Sequence, residues 1–280
     1  MSAPASNANL RVAALQPSIS IILDRLGALD QLVACTRYCV EAIPGLAQRP
    51  VTVVKDSWSC TTDEILAADP SLVLASVPYR MESLAALLKS GCPVLTLAPH
   101  TLADIYADIR LIGSVVDRVE AAESLVAEMQ QEITATRARV ASDAPRPVVY
   151  CEEWGKPLIH SQPWVAELVE AAGGQFLGEA AKQTTAEAIA AANPDVMIFA
   201  WCGAGDRVPL ERVIAQRAWH DLRAARTGRV FCIPDEWLNT PAPTLLLGLR
   251  ALAAALHPSQ LNAKQRPRSF HTVANAPIAI

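Results

Sequence analysis

A helix that stops at a proline and hands over to an apolar strand occurs twice in this chain, once on each side of a long charged helix. That duplication restricts the chain to a two-fold α/β architecture. In the first copy, Thr61-Thr62-Asp63-Glu64-Ile65-Leu66-Ala67-Ala68-Asp69-Pro70 leads into Leu72 to Ala75. In the second, Thr184-Thr185-Ala186-Glu187-Ala188-Ile189-Ala190-Ala191-Ala192-Asn193-Pro194 leads into Val196 to Ala200. Each opens on a Thr-x-x-Glu pattern, which predicts a capping box, and each ends at a proline that cannot continue a helix. Ser83 to Leu97 matches Trp219 to Ile233, both reading as helix, glycine turn (Gly91, Gly228) and β-rich run. Ile21 to Ala34 and Val165 to Leu177 form a looser third pair, each an amphipathic segment broken at glycine (Gly27; Gly173-Gly174).

Helices alternating with strands predict parallel sheets covered by helices, one sheet per half. Between the halves, Asp117 to Val140 carries Val119, Ala122, Val126, Met129, Ile133 and Val140 at helical spacing. The other face is charged, as expected of a bracing helix. The expected organisation is therefore an N-terminal α/β lobe over 10–116, a bridging helix over 117–141, a C-terminal α/β lobe over 146–257 and a tail over 258–280. The tail is polar and contains proline, so it is expected to run over the surface or stay disordered.

Composition narrows the function. A net charge of -4, with no Lys/Arg run, leaves no electrostatic footprint for nucleic acid. The seven cysteines are odd in number and include no CxxC pair, so no disulfide framework is indicated and most are expected in the core. Apolar stretches such as Leu245 to Leu256 are too short to span a bilayer. Met1 to Asn9 has neither a basic n-region nor an apolar h-region, so no secretory signal can be read.

Open parallel sheets bind ligands beyond the carboxyl ends of their strands. The loops expected there are aromatic. They hold Tyr38, Trp58 and Tyr79 in the first half, and Glu153-Trp154, Trp201 and Asp235 to Trp237 in the second. Four of six tryptophans fall in this set, and indoles suit the grip of a flat or bulky organic ligand. Tyr38, Trp58, Tyr79, Trp154, Trp201, Trp237, Glu153 and Asp235 are accordingly the candidate ligand-binding residues.

Together, Arg11-Val12-Ala13-Ala14-Leu15-Gln16-Pro17-Ser18, the Asp63-to-Val73 segment, His100-Thr101-Leu102-Ala103-Asp104-Ile105, Glu153-Trp154 with Trp164-Val165-Ala166-Glu167-Leu168-Val169, and Gly228-Arg229-Val230 resemble the helical-backbone (class III) substrate-binding proteins of ABC importers, and their cobalamin-binding branch in particular. The resemblance covers roughly Leu10 to Pro258. It implies two α/β lobes joined by one long backbone helix, and a monomer that captures a corrinoid in the inter-lobe cleft and delivers it to an ABC-transporter permease. It assigns cleft-lining roles to Tyr38, Trp58, Trp154, Trp201 and Trp237, and permease-docking roles to Asp63 and Glu187, seven residues before Pro70 and Pro194. The acids Glu152-Glu153 and Asp235-Glu236 are expected to meet polar or cationic ligand groups. Relatives are exported; the absent leader and the seven cysteines suit the cytoplasm if Met1 is the true start.

Haem, through Tyr38 as axial ligand beside Arg37, or a ferric siderophore is the rival ligand. Direct metal binding by Cys35, Cys39, Cys60 and His100 has no zinc-like spacing. An enzyme, such as a corrinoid-handling one in the cytosol, would have Glu152, Glu153 and Asp235 as acid and base, but no GxSxG, Walker or GxGxxG motif supports catalysis, and no catalytic residue, resident metal or intrinsic cofactor is expected.

Overall fold

The computed structural model describes residues 10–57, 59–76, 81–140, 145–257 and 268–269. The chain divides into two compact units. The first runs to Met129 and takes in Pro241–Pro243; the second starts at Gln130.

In the first unit, β1 (Val12–Ala14), α1 (Pro17–Arg25), β2 (Leu32–Thr36), α2 (Arg37–Ala42), β3 (Thr52–Val54), α3 (Thr62–Leu66), β4 (Leu72–Ser76), α4 (Met81–Lys89), β5 (Val94–Leu97) and α5 (Leu102–Val115) follow one another. The five strands form a parallel sheet in the order β3-β2-β1-β4-β5. The central strand β1 is fully buried, as a strand covered on both faces must be. Ile19, Ile22 and Leu23 of α1 and Ile105, Ile109 and Ile112 of α5 supply apolar cover at helical spacing.

α6 (Val119–Val140) carries the chain across the boundary at Met129/Gln130. It buries Ala122, Val126, Met129, Ile133 and Val140, as its spacing required, but leaves Val119 46% exposed. The helix starts two residues later than the sequence suggested because Asp117 adopts φ +58°, a left-handed conformation that interrupts it.

The second unit contains β6 (Val148–Gly155), β7 (Leu158–His160), α7 (Pro163–Ala171), β8 (Gln175–Phe176), β9 (Gln183–Thr184), α8 (Ala186–Ala192), β10 (Val196–Phe199), α9 (Leu210–Gln216), α10 (Arg223–Arg226), β11 (Val230–Cys232), α11 (Asp235–Leu238), α12 (Leu245–Leu256) and β12 (Arg268–Ser269). Its core is parallel in the order β8-β6-β10-β11, the same order as β2-β1-β4-β5. The duplication therefore extends to topology. It also extends to backbone detail: Asp69 and Asn193, each before the stop proline, are both left-handed at φ 50° and 46°.

Two features differ from expectation. The second sheet is mixed rather than parallel. β6 is long enough for its first residues to pair with β8 while Glu152 to Gly155 fold back on β7 as a hairpin, and β9 adds a further antiparallel strand. Within the expected tail, Arg268–Ser269 pair antiparallel with β11; the rest of 258–280 lies outside the described residues. Among the described residues no helix is long and apolar enough to cross a membrane.

Candidate ligand-binding site

In an open sheet, the place where strand order reverses leaves a crevice at the carboxyl ends of the two strands on either side. In the first unit that point lies between β1 and β4, where the side-chain oxygen of buried Gln16 accepts from Ser76 N at 2.7 Å and ties the two strand ends together. In the second it lies between β6 and β10, whose continuations are Trp154-Gly155 and Trp201-Cys202. There a cavity of ≈ 750 Å³ opens, lined by Trp154, Gly155, Lys156, Leu158, Trp201 to Ala204, Pro209, Arg212, Val213, Gln216 and Arg217. Its size falls in the usual range for small-molecule sites.

The cavity is built on a buried ion pair. Residues two apart on a strand share a face, which sets Tyr150 beside Glu152. Glu152 has no exposed surface. Its carboxylate accepts from the Tyr150 hydroxyl, from Trp201 Nε1 at 2.7 Å, and from Arg217 through Nη1 at 2.6 Å and Nη2 at 2.9 Å. The Arg217 guanidinium carbon also lies 4.8 Å from the Trp219 ring centroid. A charge so deeply buried persists only where paired and hydrogen-bonded. Glu152 thus meets Arg217 rather than a ligand, and the bond to Nε1 fixes the plane of the Trp201 indole.

Gly155 permits the indole to lie there. A Cβ at this position would come within 2.6 Å of Trp201 Cζ2, a distance no side chain tolerates. The opposite wall is α9. Val213 and Ile214 are buried with Phe199 and Trp219, Val213 also reaching the cavity, while Arg212 and Gln216, four apart on one helical face, line it beside Val213.

The other expected residues are placed as follows. Trp154 is 46% exposed, and its Nε1 donates to Lys156 O at 2.8 Å, which holds the ring at the cavity rim. Trp237, Glu153 and Asp235 are not among the lining residues. Glu153 accepts from Gln162 Nε2 at 2.8 Å and from the Cys202 thiol. Burial, with a smaller contribution from Asp235, pushes its carboxyl above the usual range despite the Gln162 bond. Asp235 accepts from Gly203 N at 2.8 Å and Gly205 N at 2.7 Å, so it shapes the loop whose residues Trp201 to Ala204 line the cavity. Both glycines are left-handed, which explains their identity. Tyr38, on α2 of the first unit, is 38% exposed and its hydroxyl accepts from Arg37 Nη2 at 2.7 Å. Trp58 and Tyr79 lie outside the described residues.

Asp63 and Glu187 are both exposed and both second residues of their helices, α3 and α8. The capping boxes, however, are not equivalent. Thr61 forms one with Glu64, but the cap of α8 is Thr185, whose hydroxyl accepts from Ala188 N, so the Thr184-x-x-Glu187 pattern is out of step by one residue. Glu187 turns instead to its own N–H and the Thr185 hydroxyl, which lower its carboxyl below the usual range.

Among the described residues no three His, Cys, Asp or Glu side chains are placed to hold a metal, and all seven cysteines are free. Five are buried; Cys202 is exposed at the cavity. His160 is buried against Tyr150, ring centroids 5.3 Å apart, as a core histidine. Sequence reasoning missed Lys156, Arg212 and Arg217. Only the last had a signal: a glutamate inside the apolar run Val148 to Cys151 and its continuation demands a cation from elsewhere in the chain.

A family model described as periplasmic binding protein matches residues 12–237. A cobalamin-binding protein of Halobacterium salinarum is 25% identical over 258 residues, 88% of this chain and 69% of the relative. A vitamin B12-binding protein of Vibrio parahaemolyticus is 25% identical over 248 residues, covering 84% and 85%. In fold, the chain is similar to a periplasmic haem-binding protein from Pseudomonas aeruginosa, with TM-score 0.79, 22% identity, and 94% and 95% of the two chains covered. With the family model matched from the first strand to α11, the chain belongs to the periplasmic binding protein family.

Proposed function

We propose that this protein is a substrate-binding protein that captures a corrinoid and delivers it to an ABC importer, and that it works where the family works, outside the cytoplasm. The observation that carries the reading is the pair of indoles, Trp154 and Trp201, on a cavity of ≈ 750 Å³ at the strand-order reversal of the second unit. One of them is held in plane by a buried ion pair. Preset aromatic faces suit a large, rigid macrocycle, because little side-chain freedom is lost on binding. The curated relatives named for cobalamin and vitamin B12 support the same ligand class. The acids Glu152, Glu153 and Asp235 are engaged by Arg217, Gln162 and backbone N–H groups respectively, which favours stoichiometric binding over turnover. Asp63 and Glu187, exposed at matching helix positions, are the residues proposed to meet the permease.

Isothermal titration with cobalamin tests this, run beside haemin and a ferric siderophore. One-to-one heat with cobalamin is expected, and no heat at high micromolar concentration refutes it. Exposed Tyr38 beside Arg37 favours haem as the second reading. A Soret band that is lost in Tyr38→Phe would promote it.

A further inference from the structure

Charge is distributed unevenly around the cavity: Lys156, Arg212 and Arg217 line it, and no Asp or Glu does. Arg217 is already neutralised, because both its terminal nitrogens donate to Glu152. The other two are different. Lys156 sits in the β6–β7 turn with its carbonyl taken by Trp154 Nε1, and its ammonium forms no ion pair among the described residues. Arg212, on the exposed side of α9, forms none either. Two acids of neighbouring loops are engaged elsewhere: Asp235 faces the N–H groups of Gly203 and Gly205, and Glu153 faces Gln162 and Cys202. Among the described residues, two cations without an ion-pair partner therefore share the cavity lining with two indoles. Apolar walls lower the local dielectric, so an anion entering there is held more strongly than it would be on an open surface.

We infer that the cavity selects ligands bearing an anionic group on the edge that enters it, with Lys156 and Arg212 as the receptors for that group. The inference rests on the reading of this cavity as the ligand site. The shared chemistry is a carboxylate or a phosphate, attached to an otherwise apolar or amide-bearing ring system.

The test is an affinity comparison on the full chain. Cobyrinic acid, whose side chains are carboxylates, is set against cobinamide, whose side chains are amides. Cobalamin, which carries a phosphodiester, against cobinamide tests the phosphate source. Each is measured for the wild type and for Lys156→Gln/Arg212→Gln. In one or both pairs the anionic member is expected to bind about tenfold more tightly, the yield of two exposed ion pairs. That advantage should shrink between about 0.01 M and about 1 M salt, as the screening length falls from about 30 Å to about 3 Å. The double variant should bring the anionic ligand down toward the amide. A carboxylate preference without a phosphate preference, or the reverse, names the source.

Equal affinities within both pairs, or a preference that survives the double substitution, overturn the inference and leave corrinoid binding intact. If no corrinoid binds, the functional proposal fails, and haemin against its dimethyl ester decides the charge question alone. Preference for the free acid, lost in the double variant, sustains it; no preference, or no binding, overturns it.

Discussion

Replacing Arg217 with methionine removes the one cation paired with Glu152 among the described residues while keeping most of the aliphatic volume. Arg217 contributes two charge-assisted hydrogen bonds, each worth about 1.5–3 kcal/mol, and a guanidinium contact with Trp219 worth about 0.5–2 kcal/mol. These do not add fully, because the introduced thioether side chain recovers some packing and the carboxylate keeps the bonds from Tyr150 and Trp201. Stranding one partner of a buried pair costs about 3–5 kcal/mol, and that is the expected loss. Urea unfolding followed by tryptophan emission measures it. Glu152→Gln/Arg217→Met should cost less than the sum of its single variants, with a coupling of about 2 kcal/mol or more. A loss below about 1 kcal/mol, or single-variant losses that simply add in the double variant, would refute the idea that this pair organises the cavity.

Two further substitutions probe other parts of the chain. Gly155→Ala should push the Trp201 indole from its seat, at a cost of about 1–3 kcal/mol and with weaker ligand binding; unchanged stability and affinity would show that the close approach is not a constraint. Asp108 has its carboxyl raised from 3.8 to about 6, first by burial and then by Asp104, so the folded state favours the neutral form. Its contribution is present below the unfolded value and lost as pH rises through about 6, so Asp108→Asn should raise the melting temperature at neutral pH and leave it unchanged in acid. Allowing for partial exposure, the gain is about 1–2 kcal/mol. An equal effect at both pH values would contradict this.

The duplication was legible because it is written in local chemistry. Proline stops, glycine turns and Thr caps act within a few residues, and Asp69-Pro70 and Asn193-Pro194 indeed form matching left-handed helix ends. Apolar runs located the central strands for the same reason. The hairpin after Glu152 was not legible, since Lys156-Pro157 and the short β7 carry no Asn-Gly or Gly-Gly turn signal. The strand-end rule found Trp154 and Trp201 because topology alone places them. It could not distinguish Glu153 and Asp235, which serve Gln162, Cys202 and a glycine loop, from residues that face the cavity. Arg212 carried no signal, and Arg217 none beyond the glutamate in an apolar run that demands a cation, because both reach the site through tertiary packing, with Arg217 65 residues from Glu152.

The central claim is that a corrinoid binds against Trp154 and Trp201, and tryptophan emission on titration with cobalamin tests it most directly. Saturable one-to-one quenching is expected in the wild type, with most of the amplitude lost in Trp154→Phe/Trp201→Phe although the variant remains folded. No saturable quenching, or quenching of full amplitude in the double variant, would contradict it.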